Sequence, residues 1–511
     1  MIAVLDSPAM READRVTIAE LGLPSLVLME SAAAAVADLV AERFPGAGRI
    51  AVACGPGNNG GDGLAMARLL RCRGFDVSVG MLVARRSLKG DAAVQLELAR
   101  RFGVPVSDCS RGGTARLAEL LGGADVVVDA LFGTGLDRPL TGRWAEAVSV
   151  VNRAGVPVVA VDLPSGLLGS SAGAEGPSVR ADLTVTFAAP KVAHVLPPAC
   201  WRCGEVAVAA IGIPPWVADA RMSLGLVEAE DVAGWLPRRG PDAYKGTFGH
   251  LLVVAGREGR AGAAALAARA AVRMGAGLVT VATTGAAGAA VQALVPEAMV
   301  DVLEAGKGGE VAGGGIEGSL AKATAVAVGP GLGTGDGPRR LLGSILERWR
   351  GPLLLDADAL TLLAGRLGTL RTRAVTPVLT PHPGELARLL GVATSEVTAD
   401  RLGAACRAAE AGGAVVLAKG ARTVIAGGGG VALVNPTGTS GLASGGAGDV
   451  LSGVVGALLA QGLAAREAAA SGAYLHGRAA ELAGERFPGA VPAGELVGYL
   501  AAAEAEVGQA G

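Results

Sequence analysis

Short apolar runs of Val, Ala, Leu and Ile recur along the chain, and each gives way to a turn rich in Gly, Asn, Asp or Pro and then to a stretch with helical periodicity. In the first half these runs cover 49–54, 76–83, 125–132, 157–163, 183–187 and 205–211, with helices expected near 62–73, 90–102, 114–121 and 143–153. Such alternation predicts βαβ units on a mostly parallel sheet. Unbroken runs such as Val156-Pro-Val-Val-Ala-Val161 suit strands covered on both faces. Ile213-Pro-Pro-Trp216 and Leu236-Pro-Arg-Arg-Gly-Pro241 then interrupt the pattern with prolines that continue neither helices nor central strands. A boundary is therefore expected within 215–240. A second alternation follows, with strands at 250–255, 278–282, 324–328, 352–355, 375–379 and 414–419 and a helical tail from about 444 to 505. The expectation is two α/β domains, residues 1–215 and 225–505, without a repeated motif.

Charge and composition narrow the function. Forty-five Lys and Arg against forty-seven Asp and Glu leave a net charge of −2, so no global field favours nucleic acid or an anionic membrane. Hydrophobic residues make up 51% and aromatics only 3%, so the core must be mostly Ala, Val and Leu. The uncharged window 274–296 is long enough to span a bilayer, but its glycines and threonines divide it into a strand at 278–282 and a small-residue helix. The apolar stretch 450–465 is shorter than the roughly 20 residues a span needs. Asp6, Arg11, Glu12 and Asp14 do not fit a secretory signal. A soluble, cytoplasmic protein is expected. Cys200 and Cys203 form one CxxC with only His194 near them, short of the four ligands of a closed zinc site, and are read as structural.

In the first half, Gly55-Pro-Gly-Asn-Asn-Gly-Gly-Asp-Gly63 joins a strand to a helix. Glycines there permit positive φ and close backbone approach, and the helix start offers free amides to an anion. The segment is neither GxGxxG nor a P-loop. Asp129 ends another strand and leads into Gly133-Thr-Gly-Leu-Asp-Arg-Pro139; Asp162 ends the next and leads into Leu163-Pro-Ser-Gly166. Ligands of open α/β sheets bind beyond the carboxyl ends of the strands, so Asn59, Asp129, Asp162 and Ser165 are expected to converge. The plainer alternative is that both aspartates cap helices.

The second half carries Lys245-Gly-Thr-Phe-Gly-His250, Gly-rich crossings at 255–263 and 329–333, Thr380-Pro-His-Pro-Gly-Glu385, Lys419-Gly-Ala-Arg-Thr423 and a small-residue run from Asn435 to Gly-Gly-Ala-Gly-Asp449. Amides of Gly446 to Gly448 at a helix start suit a moving phosphoryl group, and Asp449 suits the proton of an attacking alcohol. A helix cap is the alternative for Asp449. His382 between two prolines is read as a site residue. Residues 419–423 are read as a phosphate contact or a solvated hairpin turn.

Asn58-Asn-Gly-Gly-Asp62, Asp129-Ala-Leu-Phe-Gly-Thr-Gly135 and Asp162-Leu-Pro-Ser-Gly166 resemble, in order, the NAD(P)H-hydrate epimerases; the motifs of the second half resemble the ribokinase-like ADP-dependent NAD(P)H-hydrate dehydratases. The resemblance implies a Rossmann-like parallel-sheet domain followed by a ribokinase-like α/β domain. It implies potassium held by Asn59, Asp129 and Ser165. It places the damaged nucleotide along Asn58, Asn59, Gly60, Gly61 and Asp62, along Gly133, Thr134, Gly135, Leu136, Asp137, Arg138 and Pro139, and at Asp162. In the second domain it assigns Ala263, Gly331, His382 and Asp449 to the hydrated nucleotide, and Lys419, Gly420, Ala421, Arg422, Thr423 and Gly448 to ADP, accompanied by Mg2+. Asp162 and Asp449 are the expected catalytic groups. The implied activity is R/S epimerisation of hydrated NADH and NADPH, and dehydration of the S form with ADP. The expected partners are these small molecules within a homo-oligomer, without nucleic acid or membrane. Two alternatives stand beside it: a kinase of a small vitamin-precursor alcohol, and a non-catalytic nucleotide-binding scaffold.

Overall fold

The computed structural model describes residues 1–111 and 114–510. The chain divides into two compact units, one of Ile2–Leu224 and one from Gly225 onward that includes Met1.

In the first unit β1 (Arg49–Cys54), β2 (Asp76–Met81), β3 (Val106–Asp108), β4 (Val126–Ala130), β5 (Val158–Val161), β6 (Leu183–Phe187) and β7 (Glu205–Ala209) form one sheet in the order β3-β2-β1-β4-β5-β6-β7. Every neighbouring pair is parallel. Helices Asn58–Cys72, Gly90–Arg101, Ala115–Leu121 and Arg143–Asn152 make the crossovers. The strand order reverses direction between β1 and β4, the topological switch point at which such sheets bind ligands. The interior strands β1, β4, β5 and β6 are almost wholly buried, which is why they read as continuous apolar runs. β3 was not foreseen: Val-Ser-Asp at a sheet edge carries no apolar run to announce it.

The second unit holds β8 (His250–Val254), β9 (Leu278–Thr284), β10 (Met299–Leu303), β11 (Ala325–Val328), β12 (Leu353–Leu355), β13 (Val378–Leu379), β14 (Val415–Ala418), β15 (Val424–Ala426) and β16 (Ala432–Val434), ordered β16-β15-β14-β13-β12-β11-β8-β9-β10. β8 to β14 pair in parallel. β15 and β16 add antiparallel strands at one side. The window 274–296 becomes β9 and helix Gly285–Leu294. Among the described residues no helix is long and apolar enough to cross a membrane. The helical tail is three helices, Ala447–Ala460, Ala465–Gly484 and Ala493–Ala510.

The shortage of aromatics is met by close packing of small residues. Helix Ala261–Arg273 lies against Ala447–Ala460 at a distance that only glycine allows: a Cβ on Gly453 would stand 2.1 Å from the Ala267 carbonyl oxygen. Gly453→Ala should therefore push two backbones apart. The expected loss is about 1–3 kcal/mol, as for other overpacked cores, read from the urea midpoint of unfolding.

Candidate active sites

Beyond β1 the chain enters helix Asn58–Cys72 directly, so residues 58–62 form its first turn, earlier than the start expected near 62. No glycine from Gly55 to Gly63 has positive φ. Of the two uses foreseen for them, only close approach is realised: a Cβ would meet the Gly55 carbonyl oxygen at 2.3 Å from Gly60, and Ala130 Cβ at 2.5 Å from Gly63.

The loop after β4 bonds to both aspartates, through the Leu131 amide to Asp129 and through Thr134 to Asp162. Asp129 is fully buried. Its Oδ1 accepts from Ser165 Oγ (2.7 Å) and the Leu131 amide (3.2 Å), and its Oδ2 accepts from the Ser165 amide (2.8 Å). Burial pushes this carboxyl up to about 6 in spite of those bonds. Asn59 is also buried, and among the described residues neither polar atom of its side chain has a hydrogen-bond partner. A Cβ on Gly133 would lie 2.9 Å from Asn59 Oδ1 and 2.7 Å from Asp162 Oδ2. A buried anion and an orphaned amide oxygen around one loop suit a hard monovalent cation, so these residues fit the potassium that the resemblance implies.

Asp162 sits at φ +64° just past β5. Its Oδ2 accepts from the Thr134 amide (2.8 Å) and Thr134 Oγ1; its Oδ1 accepts from Lys191 Nζ (2.9 Å) and Thr186 Oγ1 (3.2 Å). Burial opposes ionisation here, but the Lys191 ammonium and the hydrogen bonds from Lys191 and Thr134 hold the carboxyl well below the usual carboxylate range. Neither aspartate caps a helix. Asp162 is a fixed anion with its accepting positions filled, which fits an anchor better than the proton shuttle expected of it. Lys191 is itself fully buried, bonded also to Thr186 Oγ1 and the Phe187 carbonyl. His194 Nδ1 accepts from the Lys191 amide, which makes this histidine structural, and Cys203 is buried with its thiol on the Ala193 and Ala199 carbonyls.

A cavity of about 490 Å³ opens above these groups, lined by Asn58, Asn59, Asp62, Gly133 to Leu136, Asp162, Lys191 and Asp14 among others. Gly60, Gly61 and the Asp137, Arg138 and Pro139 end of the loop do not line it. Burial raises the Asp62 carboxyl well above its usual value, with the charges of Asp162 and Asp14 adding to the effect. Sequence reasoning missed Lys191 and Asp14. The first had a signal, a scarce lysine in Ala188-Ala-Pro-Lys191 just past a strand; the second was read only as a charge near the N-terminus.

The second unit gathers its polar groups in the same way, at the carboxyl ends of β12, β13 and β14. Lys419 Nζ lies 2.8 Å from Asp356 Oδ1 and 3.8 Å from Glu385 Oε2, and Ser452 Oγ donates to Asp356 Oδ2 at 2.6 Å. Burial works against the ammonium, but Asp356 and Glu385 raise its pKa and keep it charged. A Cβ on Gly448 would stand 3.5 Å from that Nζ. Gly446, at φ +92°, starts helix Ala447–Ala460 with no side-chain cap, so the capping alternative for Asp449 falls away. Burial, reinforced by Asp356 and partly offset by Lys419, pushes Asp449 up to about 6. His476, held neutral by burial at about 4, bonds through Nε2 to the Ala447 carbonyl and steadies the first turn.

The remaining expected residues divide. Ala263 and Gly331 are neighbours, since a Cβ on Gly331 would lie 3.1 Å from Ala263 Cβ; the Gly333 amide ties this loop to Asp358 Oδ2 at 2.8 Å. His382 is the N-cap of helix Pro383–Leu390, with Nδ1 accepting from the Gly384 and Glu385 amides while the ring stays exposed. Residues 419–423 are the hairpin turn between β14 and β15, braced by Arg401 on the Ala421 and Arg422 carbonyls; of its side chains, Lys419 turns inward to the carboxylates. Asp356 was overlooked, although Leu355-Asp-Ala-Asp358 ends a strand just as Asp129 and Asp162 do.

The Lys191–Asp162 pair gives a direct stability test. Lys191→Met would leave a buried carboxylate unpaired, a change that costs about 3–5 kcal/mol in comparable pairs. The first unit should unfold at lower urea than in the wild type, with the difference shrinking as pH falls and Asp162 takes up a proton.

Two protein families match the chain: NAD(P)H-hydrate dehydratase over residues 251–501, and YjeF-related protein N-terminus over residues 25–193. A relative called bifunctional NAD(P)H-hydrate repair enzyme Nnr, from Moorella thermoacetica, is 40% identical over 505 residues, covering 96% of this chain and 94% of its own. The protein of that name from Escherichia coli is 36% identical, covering 93% of this chain and 89% of its own. Among solved structures, the ADP/ATP-dependent NAD(P)H-hydrate dehydratase of Bacillus subtilis, co-crystallised with ATP/Mg2+, is 31% identical, covers 56% of this chain and 99% of its own, and has a TM-score of 0.49. With both halves matched in order and with identity sustained over nearly the full length, this chain belongs to the family of bifunctional NAD(P)H-hydrate repair enzymes.

Proposed function

We propose that the first unit interconverts the R and S epimers of hydrated NADH and NADPH, and that the second returns the S form to the intact dinucleotide at the expense of ADP, giving AMP and phosphate. The observation that carries the second half is Asp449: a half-buried carboxyl raised to about 6, just past the amides of Gly446 to Gly448 and within the field of Lys419. Such a carboxyl takes the proton of the ring hydroxyl as its oxygen attacks the β-phosphorus of ADP. The bond to AMP breaks, while the amides and the Lys419 ammonium stabilise the charge in flight. The phosphate ester then leaves from carbon, a proton departs from the neighbouring carbon, and the double bond returns.

Ala263, Gly331, His382 and Asp449 would face the hydrate; Lys419, Gly420, Ala421, Arg422, Thr423 and Gly448 would face ADP. Magnesium, when bound, offsets phosphate charge. Asp356 is already engaged by Lys419 and Ser452, and Glu385 lies against Lys419 and bonds to the His382 amide, so the ion would arrive with ADP, held through phosphate and water. In the first unit Asn58, Asn59, Asp62 and residues 133–136 would hold the hydrated nucleotide, with Asp162 as a fixed anionic anchor. Potassium would sit among oxygens of Asn59, Asp129 and Ser165 and supply the positive charge that Asp129 lacks.

Two measurements test this reading. Purified protein given S-hydrated NADH and ADP should regain the absorbance of the reduced ring, and Asp449→Asn should slow recovery about 10²–10⁴-fold, the range for lost general-base catalysis. No recovery by the wild type with ADP or ATP would reject the dehydratase assignment. For the cation, potassium chloride should raise the unfolding temperature above that in an equal concentration of choline chloride, and Asp129→Asn should abolish the difference. Equal melting of the wild type in both salts would count against the site.

A further inference from the structure

Epimerisation asks for a group that can both give and take a proton, and Asp162 is poorly placed to be it. Water adds to a dihydronicotinamide so that the hydroxyl lands on a carbon next to the ring nitrogen. To invert that carbon, a proton goes to the hydroxyl oxygen. The C–O bond then breaks with its electron pair leaving on water, and the nitrogen lone pair closes a C=N bond. Water adds to the opposite face and returns a proton to the donor. The acceptor positions of Asp162 are filled by Thr134, Thr186 and Lys191.

Three other carboxyls line the cavity: Asp91, in the first turn of helix Gly90–Arg101, Asp62 and Asp14. Asp62 lies in the first turn of helix Asn58–Cys72 and is buried beside two further carboxylates, so it holds its proton firmly. Asp14, from helix Ser7–Arg15, is half-buried on the cavity wall. Among the described residues its carboxyl has neither a hydrogen bond nor an ion pair.

Resting on the epimerase reading above, we infer that Asp14 is the proton-transferring residue of the first unit, giving its proton to the departing hydroxyl and recovering one from the incoming water. The charged groups lining the cavity with it are Arg11, Asp62, Asp91, Asp162 and Lys191. Burial pushes Asp14 up to about 6; Lys191 opposes this and Asp162 adds to it. The division of labour then matches sites in which environment drives neighbouring carboxyls apart, one fixed as the anion and one poised to exchange a proton.

The test uses the full chain, R-hydrated NADH and ADP, and subtracts the spontaneous rate at each pH. In the wild type, consumption of the R form should fall as pH rises through about 6, because the proton-bearing form of Asp14 is lost. Asp14→Asn should cut this rate about 10²–10⁴-fold and remove the inflection, with S-form repair and the unfolding midpoint unchanged. Asp14→Glu, which keeps the acid, should restore part of the rate together with an inflection. Wild-type R consumption in Asp14→Asn, or an unaltered inflection in its residual activity, would overturn the role of Asp14 and leave the epimerase reading standing. A wild type no faster than buffer would instead overturn the epimerase reading and, with it, this inference.

Discussion

In each half of the molecule, one ammonium set among carboxylates, buried at Lys191 and half-buried at Lys419, organises the site around it. Lys191 pairs with Asp162 and Lys419 pairs with Asp356. A carboxylate taken out of water is costly unless it is paired and hydrogen-bonded, so each lysine offsets the burial of the carboxylate it pairs with. The carboxyls left outside the pair feel burial without full compensation, and their pKa values rise: Asp14 in the first unit and Asp449 in the second both to about 6. In the first cavity, Lys191 thus holds Asp162 as an anion while Asp14 is left with a raised pKa, without any change in residue type. Asp129 is the exception within the first unit: it is buried, among the described residues it has no ammonium beside it, and the proposed potassium would supply that charge.

Backbone packing makes these pairs possible. Parallel strands end at one edge of a sheet, and the loops leaving them must pass close together for Asp129 to meet Ser165 and for Asp162 to meet Thr134 and Lys191. Glycine supplies that closeness by lacking a side chain. Gly60 lies against the Gly55 carbonyl, Gly133 lies between Asn59 and Asp162, and Gly453 lets the helix bearing Asp449 settle onto the Ala267 backbone. The abundance of Gly and Ala and the scarcity of aromatics are thus linked to the chemistry: a core of bulky rings would hold these loops and helices too far apart for their polar ends to converge.

Much of this was legible before any coordinates. Strands buried on both faces read as apolar runs, and the aspartates at the ends of β4 and β5 stand out because each leads into a Gly-containing loop at the same sheet edge, which helix capping does not explain. The edge strand Val106–Asp108 and the strands after Lys419 were not legible, being short, partly polar, or read as part of a turn. Side-chain partners were hidden for a different reason. Lys191 and Asp162 are 29 residues apart, and Lys419 and Asp356 are 63 apart, so no local spacing connects them. The role expected of Asp162 changed on this account: the motif marks the position, but the proton affinity there depends on a lysine two loops away. His382 is a related case, since a histidine between prolines suggested chemistry, while its Nδ1 turns out to close the start of a helix.

The two halves share no sequence motif, yet they arrive at the same electrostatic arrangement. The common element is the hydroxyl on a carbon beside the ring nitrogen. On the proposed reading, one site protonates it so that it can leave and return, and the other deprotonates it so that it can attack phosphorus. Opposite proton flow does not demand opposite residues, because a carboxyl whose pKa lies near the working pH can begin the cycle in either form. What distinguishes the sites is the second polar element: a buried Asp129 with a raised pKa in the first unit, and the amides of a helix start beside the Asp356-paired Lys419 in the second. The latter is the arrangement that the proposed phosphoryl transfer uses. Inversion alone would leave the hydrate in place, and a stereospecific dehydration alone would strand the other epimer, so the combination of these two electrostatic environments on one chain is what makes the repair complete.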